Sequence, residues 1–255
     1  MKHGLNFGLL HLARRIAPHA AVLALCAGCA TVPNADPRDP LESFNRGVYG
    51  FNDALDKAVF KPAATAYRDV VPEAVRAGVS NFLGNLEDVW SFVNNLLQFK
   101  GTAAANSFMR VNVNTVFGLG GILDVASDMR IPRRDADFSQ TLGVWGVPTG
   151  PYLVLPLLGP SIVRDLVAWP VDSEGYLISR VNDIPTRNTL LVLDQLDTRV
   201  DLLRAGTMLD EVALDKYSFT RDVFLQRRRN AIYDGEPPPE DGSGKPKAPS
   251  PTKAP

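Results

Sequence analysis

The chain has 255 residues, of which 45% are hydrophobic and 22% charged, and a formal net charge of −1. That suits one domain with a real core plus a tail, and the mildly acidic balance gives no support for nucleic-acid binding. The three histidines, His3, His11 and His19, and one of the two cysteines, Cys26, fall in an N-terminal segment with the marks of a removed leader.

In that leader Lys2, Arg14 and Arg15 precede an apolar run from Ala20 to Leu25, and Ala27-Gly28-Cys29-Ala30 follows. A basic start, a short apolar middle and small residues before a cut are the layout of a secretory signal. Ala27-Gly28-Cys29 resembles the bacterial lipobox, although Cys26 stands where that pattern prefers Leu. The predicted cut removes residues 1–28 and leaves Cys29 as an acylated first residue. Three positive charges and no acid are lost, so the formal charge goes from −1 to −4. Ala30, in place of an inner-membrane-retaining Asp, implies the outer membrane. More than one acyl chain gives stable attachment, at about 0.8 kcal/mol for each buried methylene.

The mature chain then has no histidine and no free thiol. Ser-His-Asp and Cys-His nucleophilic sites are excluded, as are His- or Cys-ligated zinc and an internal disulfide. Carboxylate, lysine and serine-lysine chemistry stays open. No catalytic residue, metal ligand or cofactor is assigned. No mature stretch has the roughly 18 unbroken apolar residues of a spanning helix.

After a polar tether at 29–38, Asp39-Pro40-Leu41-Glu42 predicts a helix start. Asp39 stands as cap, Pro40 in the first turn and Glu42 at the capping-box position. Leu41, Phe44, Val48, Phe51, Leu55 and Val59 follow at helical spacing, with Asn45, Arg46, Asn52, Asp53 and Asp56 opposite. This stripe faces either a core or lipid. Pro62 and Pro72 break the chain. Pro72-Glu73 opens a helix with Val75, Val79, Phe82 and Leu83 on one side, interrupted at Gly84. Leu86, Val89, Trp90, Val93, Leu96 and Leu97 form the next apolar face. Trp90 and Phe92 read either as core or as headgroup-level anchors.

Gly101-Thr102 starts a helix running towards Phe117. Gly118-Leu119-Gly120-Gly121-Ile122-Leu123 follows, with neither the spacing nor the Lys-Ser/Thr of a phosphate loop. Gly118, Gly120 and Gly121 read as a turn between two apolar arms, either a mobile gate or a tight core turn. Met129 to Asp137 is charged and predicted exposed, with Asp137 capping a short helix. Tyr152 to Leu155 is a brief extended stretch. Ser161 is predicted to cap the next helix, where Arg164 and Asp165 make structural polar contacts. Helices follow over Thr186 to Arg204 and near Lys216 to Tyr233. Arg227-Arg228-Arg229 reads as a solvated face or a contact with anionic headgroups. Residues 234–255 are rich in Pro and Lys and read as a disordered tail.

Several of these motifs in order resemble the MlaA/VacJ lipoprotein family. They are Asp39-Pro40-Leu41-Glu42-Ser43-Phe44-Asn45-Arg46, Ser80-Asn81-Phe82, Gly84-Asn85-Leu86-Glu87 and Asn114-Thr115 before Gly118-Leu119-Gly120-Gly121. Thr141-Leu142-Gly143, Gly150-Pro151-Tyr152 and Arg164-Asp165 continue the series. The resemblance covers roughly Asp39 to Arg229 and frames one helical domain at 39–233. It implies an all-α, ring-shaped assembly of short broken amphipathic helices with Gly/Pro-rich loops, monotopic in one leaflet of the outer membrane. It implies an amphipathic pore through which misplaced phospholipid leaves the outer leaflet. It implies trimeric porins and a periplasmic lipid carrier as partners. The other classes weighed are a scaffold lipoprotein without lipid passage and an envelope hydrolase using carboxylates or a Ser-Lys pair.

The anchor is tested by Cys29→Ser. The variant should lose metabolic fatty-acid label and accumulate as uncleaved or mislocalised precursor. Label retained in Cys29→Ser would exclude Cys29 as the acceptor.

Overall fold

A computed structural model describes residues 36–238. The leader, Cys29 and most of the tail lie outside the described residues. The fold is all-α apart from one small hairpin. In chain order it comprises α1 (Glu42–Leu55), a π-helical turn (Asp56–Phe60), α2 (Lys61–Val70), α3 (Glu73–Leu97), α4 (Gly101–Val116), α5 (Val125–Asp128) and α6 (Phe138–Val144). The antiparallel strands β1 (Tyr152–Leu155) and β2 (Gly159–Ile162) come next. After them are α7 (Val163–Gly175), a 3₁₀ turn (Leu177–Arg180), α8 (Ile184–Val212) and α9 (Lys216–Ile232). No helix among the described residues is long and apolar enough to cross a membrane.

The prolines act differently from each other. Pro62 lies near the start of α2, directly after the π-helical turn. Its ring cannot donate to the carbonyl of Ala58 and would collide with it, so the helix widens and continues. Pro72 does end a helix. It forces Val71 into extended backbone, φ −88° and ψ 124°, and α3 starts directly after it. Gly84, predicted to interrupt α3, does not: the helix runs unbroken for 25 residues. The bare Cα of Gly84 is instead where the Arg133 guanidinium lies against α3, in the space a Cβ would fill.

The largest departure from the sequence reading is at the start of α1. Asp39 is not its cap; α1 begins at Glu42 with no side-chain cap. Asp39 is fully buried. It accepts hydrogen bonds from Asn45 Nδ2 at 2.7 Å, from Arg221 Nη1 at 3.4 Å and from the Tyr217 hydroxyl. Glu42 does not reach back either, and pairs with Arg46 at 2.7 Å. The carboxylate serves the distant α9 because Tyr217 and Arg221 stand one turn apart on that helix and both face it.

The polar face of α1 is the inward one. Asn45 is fully buried, whereas Phe44, Phe51 and Val59 are exposed. Asn45 donates to Tyr152 O at 3.1 Å and accepts from Val154 N at 2.9 Å. Seven residues on, Asn52 donates to Leu155 O and accepts from Leu157 N, both at 2.9 Å. Two asparagines two helical turns apart thus serve this hairpin, Asn45 along β1 in place of a third strand and Asn52 at the end of β1 and the turn beyond it. Beneath them Tyr152, Val154 and Tyr217 form a small aromatic core, with Val48, Tyr49, Phe224 and Leu225 packed around it. Arg46 lies over the Tyr217 ring at 4.4 Å.

The hairpin of α3 and α4 repeats the inversion. Asn85, Asp88, Ser91, Asn94 and Asn95 are buried on α3 and Gln98 at its C-cap, and Ser107, Arg110 and Asn114 on α4. Leu96, Phe108, Met109, Val116 and Phe117 are exposed. Arg110, 1% exposed, is held at every donor nitrogen. Its Nε reaches Asp88 at 3.2 Å, Nη1 reaches Ser127 Oγ at 3.1 Å and Ile131 O at 2.8 Å, and Nη2 reaches both Asp124 oxygens at 2.9 and 3.0 Å. A buried guanidinium is tolerable only when so fully paired.

Other expectations divide. Asp137 caps α6, accepting from Gln140 N at 2.6 Å, and Tyr152 to Leu155 is extended. Ser161 is not a cap: it lies within β2, and Ile162 precedes α7 without a side-chain cap. Arg164 and Asp165 do make structural contacts, to Val147 O at 3.2 Å and to Arg228. Arg228 is therefore not on a solvated face. It joins α9 to Asp137 and Asp165, because those two carboxylates need a cation once α6 and α7 pack against α9.

Asn45→Ala should cost about 2–6 kcal/mol, since it leaves two buried backbone groups, Tyr152 O and Val154 N, without their partner at about 1–3 kcal/mol each. Chemical unfolding in detergent, compared with the exposed-site control Phe51→Leu, measures it. The α5 region is sensitive to acid. Burial pushes the Asp124 carboxyl up, but hydrogen bonds from Ser127, Asn114 and Arg110 together outweigh this and hold it at about 2. A depressed carboxylate contributes stability above its unfolded pKa of about 3.9 and loses it as pH falls towards the folded value. Asp124→Asn should therefore be less stable than the parent above about pH 4, and the two should converge towards pH 2.

Candidate lipid-facing surface and polar interior

Two surfaces of opposite character result from this inversion. The outer one is apolar. Along α4 and the turn beyond it, Phe108, Met109, Val116, Phe117, Leu119, Ile122 and Leu123 are each 47–71% exposed. At the other end of the hairpin Phe99 is 91% exposed. Exposed single hydrophobics are ordinary, but a contiguous run of this length on one hairpin marks an interaction surface. Trp145 and Trp169 are also half-exposed, and Trp145 keeps its indole N–H on Leu97 O at 3.0 Å. Trp90 is part-buried, donating to Asp172 at 2.8 Å and packing on Gly175.

The glycine segment sits at the edge of this surface. Leu119, Gly120 and Gly121 have φ of 56°, 75° and 101°. Three successive left-handed residues reverse the chain at the end of α4. Gly120 N donates to Thr115 O at 3.0 Å, Gly121 N to Asn114 O at 2.9 Å and Leu123 N to Gly118 O at 2.9 Å. The first two bonds satisfy carbonyls in the last turn of α4, and the third closes the turn itself. Gly118 is buried between the carbonyls of Asn114 and Leu123, and a Cβ on Gly121 would stand 2.7 Å from the Asn85 amide. The three predicted residues therefore come together in one hydrogen-bonded turn that displays Leu119, Ile122 and Leu123 outward.

The second surface is polar and lies where α3, α8 and the segment 129–137 approach one another. Here Glu87 is open to solvent, yet burial, Asp194 and Asp135 push its carboxyl up to about 7. Its charged form is disfavoured by partial desolvation and by the neighbouring carboxylates. Asp194 and Asp197 on α8 are also raised, chiefly by burial, and Ser80 on α3 hydrogen-bonds Asp197. Arg133, predicted to be simply exposed, pairs with the fully buried Asp88 at 3.1 Å. Sequence reasoning missed Glu87, Asp88, Arg133, Asp194 and Asp197. The available signal was the recurrence of polar residues at 85, 88, 91, 94, 95 and 98 on one face of a helix that otherwise reads as apolar. Among the described residues no group of His, Cys, Asp and Glu is arranged to hold a metal ion.

The family model described as MlaA lipoprotein matches residues 37–231. Proteins of Shigella flexneri and Escherichia coli (strain K12), each named "Intermembrane phospholipid transport system lipoprotein MlaA", are 34% identical over 233 residues, covering 89% of this chain and 92% of the relative. A protein of the same name from Haemophilus influenzae is 32% identical over 218 residues, covering 82% and 86%. A solved structure reported under the words "Structural basis for maintenance of bacterial outer membrane lipid asymmetry" is similar with a TM-score of 0.68 at 34% identity, covering 76% of this chain and 98% of that one. With a match over most of its folded part and relatives of this identity and coverage, the chain belongs to the MlaA lipoprotein family.

Proposed function

We propose that this protein is an outer-membrane lipoprotein of intermembrane phospholipid transport that maintains outer-membrane lipid asymmetry. In this reading it takes mislocalised phospholipid from the outer leaflet through a polar interior and passes it to a periplasmic carrier, without chemical change to the lipid. The observation that carries the reading is the inverted burial: buried asparagines, aspartates and arginines inside an exposed apolar exterior, with no helix among the described residues suited to cross a bilayer. Such an object sits stably with its exterior in acyl chains. Its interior offers a headgroup the polar partners that hydrocarbon lacks, where each unsatisfied polar group costs several kcal/mol. Cys29 anchors the chain, and trimeric porins are its membrane partners in this proposal. Direction and energy come from those partners and the carrier, since the sequence has no nucleotide fingerprint.

Detergent-extracted full-length protein should carry phospholipid detectable by native mass spectrometry. A strain lacking it should accumulate phospholipid in the outer leaflet. Incubation with phospholipid, with or without divalent metal, should release no lyso-lipid or fatty acid above a no-protein control; release would favour the hydrolase class, and protein without lipid but with partners would favour a scaffold.

In the same proposal the turn at Gly118, Gly120 and Gly121 gates the interior by moving the apolar segment 117–123 against α4. The mature chain has no thiol besides the acylated Cys29, so one engineered disulfide can be read cleanly. It would join position 119 or 123 to a neighbouring position whose Cα lies within about 4.4–6.8 Å. Oxidation should stop restoration of asymmetry and reduction should return it. Equal transport in both states would make the segment a fixed turn.

A further inference from the structure

Arg133 differs from the other deeply placed arginines. Its guanidinium lies against α3 over Gly84, where any Cβ would collide with Cζ, Nη1 and Nη2. Asp88, fully buried, holds Nε at 3.1 Å and Nη2 at 3.2 Å. The side chain is nevertheless 35% exposed, and Nη1 makes no hydrogen bond among the described residues. Asp88 thus fixes Nε and Nη2, Asp135 stands 3.9 Å from Nε, and Nη1, lying against Gly84, is the donor nitrogen left without a hydrogen bond among these residues. The planar fork of arginine matches a phosphate, and a fork already oriented loses little freedom on binding one.

Glu87 precedes Asp88 on the same helix. It is open to solvent and makes no ion pair among the described residues. The groups that act on it are Asp194 from α8, Asp135 and Arg133 from the segment 129–137, and Asp88 on its own helix, with the Tyr176 hydroxyl, which hydrogen-bonds Asp194, also facing it. Asp88 is already committed to Arg110 and Arg133. Arg133 lies over Gly84, and Glu87 stands three residues on along the same unbroken helix, so an oriented guanidinium and an unpaired carboxylate share one face of α3, bordered by further carboxylates.

Resting on the lipid-transport reading above, we propose that Arg133 and Glu87 form a headgroup subsite for zwitterionic phospholipid. Arg133 takes the phosphate and Glu87 the ammonium of a phosphatidylethanolamine. Phosphatidylglycerol offers the same phosphate but no cation, and its net charge meets Glu87, Asp135 and Asp194 unfavourably. The subsite therefore discriminates by headgroup, with the phosphate contact common to both lipids.

The test uses full-length protein in detergent micelles holding equal amounts of palmitoyl-oleoyl phosphatidylethanolamine and phosphatidylglycerol, with bound lipid quantified by native mass spectrometry. At pH 8 the parent should be enriched in phosphatidylethanolamine. Glu87→Gln should lower that enrichment about two- to fivefold, the range for one partly solvated charge pair, with total bound lipid unchanged. In the parent the enrichment should fall between pH 8 and pH 6, because Glu87 is charged above about 7 and neutral below it. Glu87→Gln should be flat over the same range. Arg133→Lys keeps a cation over Asp88 but not the fork, and should weaken both lipids alike while the fold is retained. A parent that binds both lipids in the micelle ratio, or a Glu87→Gln protein with the parent's enrichment and pH response, overturns the subsite. A parent that binds no lipid overturns the transport reading as well.

Discussion

The structure depends on one constraint: the apolar side chains of its long hairpin are turned outward, so the interior must be held together by polar groups. In water this arrangement is unfavourable, since burying a polar group without a partner costs about 1–3 kcal/mol. The chain meets the cost by near-complete pairing. Arg110 is bonded at every donor nitrogen, Asn114 joins Asp124 Oδ1 and Ala126 N, and Asn94 receives the hydroxyl of Thr141. In the proposed membrane setting the inversion becomes favourable, because exposed Phe108, Phe117 and Leu119 then meet acyl chains instead of water.

Paired polar interiors are directional in a way apolar cores are not. A leucine tolerates many neighbours, whereas Asn45 and Asn52 must meet the donors and acceptors of β1 at set positions. The same holds for Asp39, which ties the chain entering the domain to α9 through Tyr217 and Arg221. Small changes at such residues leave unsatisfied groups where no water can replace the partner. The fold gains a fixed geometry around its interior from this, and a lipid passage needs that geometry to present charges at defined places.

Within that frame Gly84 and Gly121 have a shared role. Each lets a polar side chain approach a backbone closely: Arg133 at Gly84 and Asn85 at Gly121. Only the second also needs a left-handed φ. Neither interrupts a helix interior, because the helix hydrogen bonds at Gly84 are intact and Gly121 already lies beyond the end of α4.

The sequence by itself determined the leader and its Cys29 pattern as expectations, the absence of histidine and free thiol after a cut, the helical class, most helix positions and the family. Those depend on local composition, spacing and motif order, which a linear reading preserves. It also marked Asp39, Gly84 and Arg164-Asp165 as special. It could not say why, since Asp39 meets Tyr217 and Arg221 from the far end of the chain, and Gly84 meets Arg133 across a loop. Helical spacing places residues on faces without stating which face is inside. For α1 and α3 the usual expectation of apolar inward is reversed, because the surrounding medium decides the sign and the medium is not written in the periodicity. The polar interior, with Glu87 from α3, Arg133 from a loop and Asp194 from α8, exists only once three separated segments are packed together. Only the tertiary structure decided that arrangement, since the shared electrostatics of these groups depend on distances that no local pattern contains.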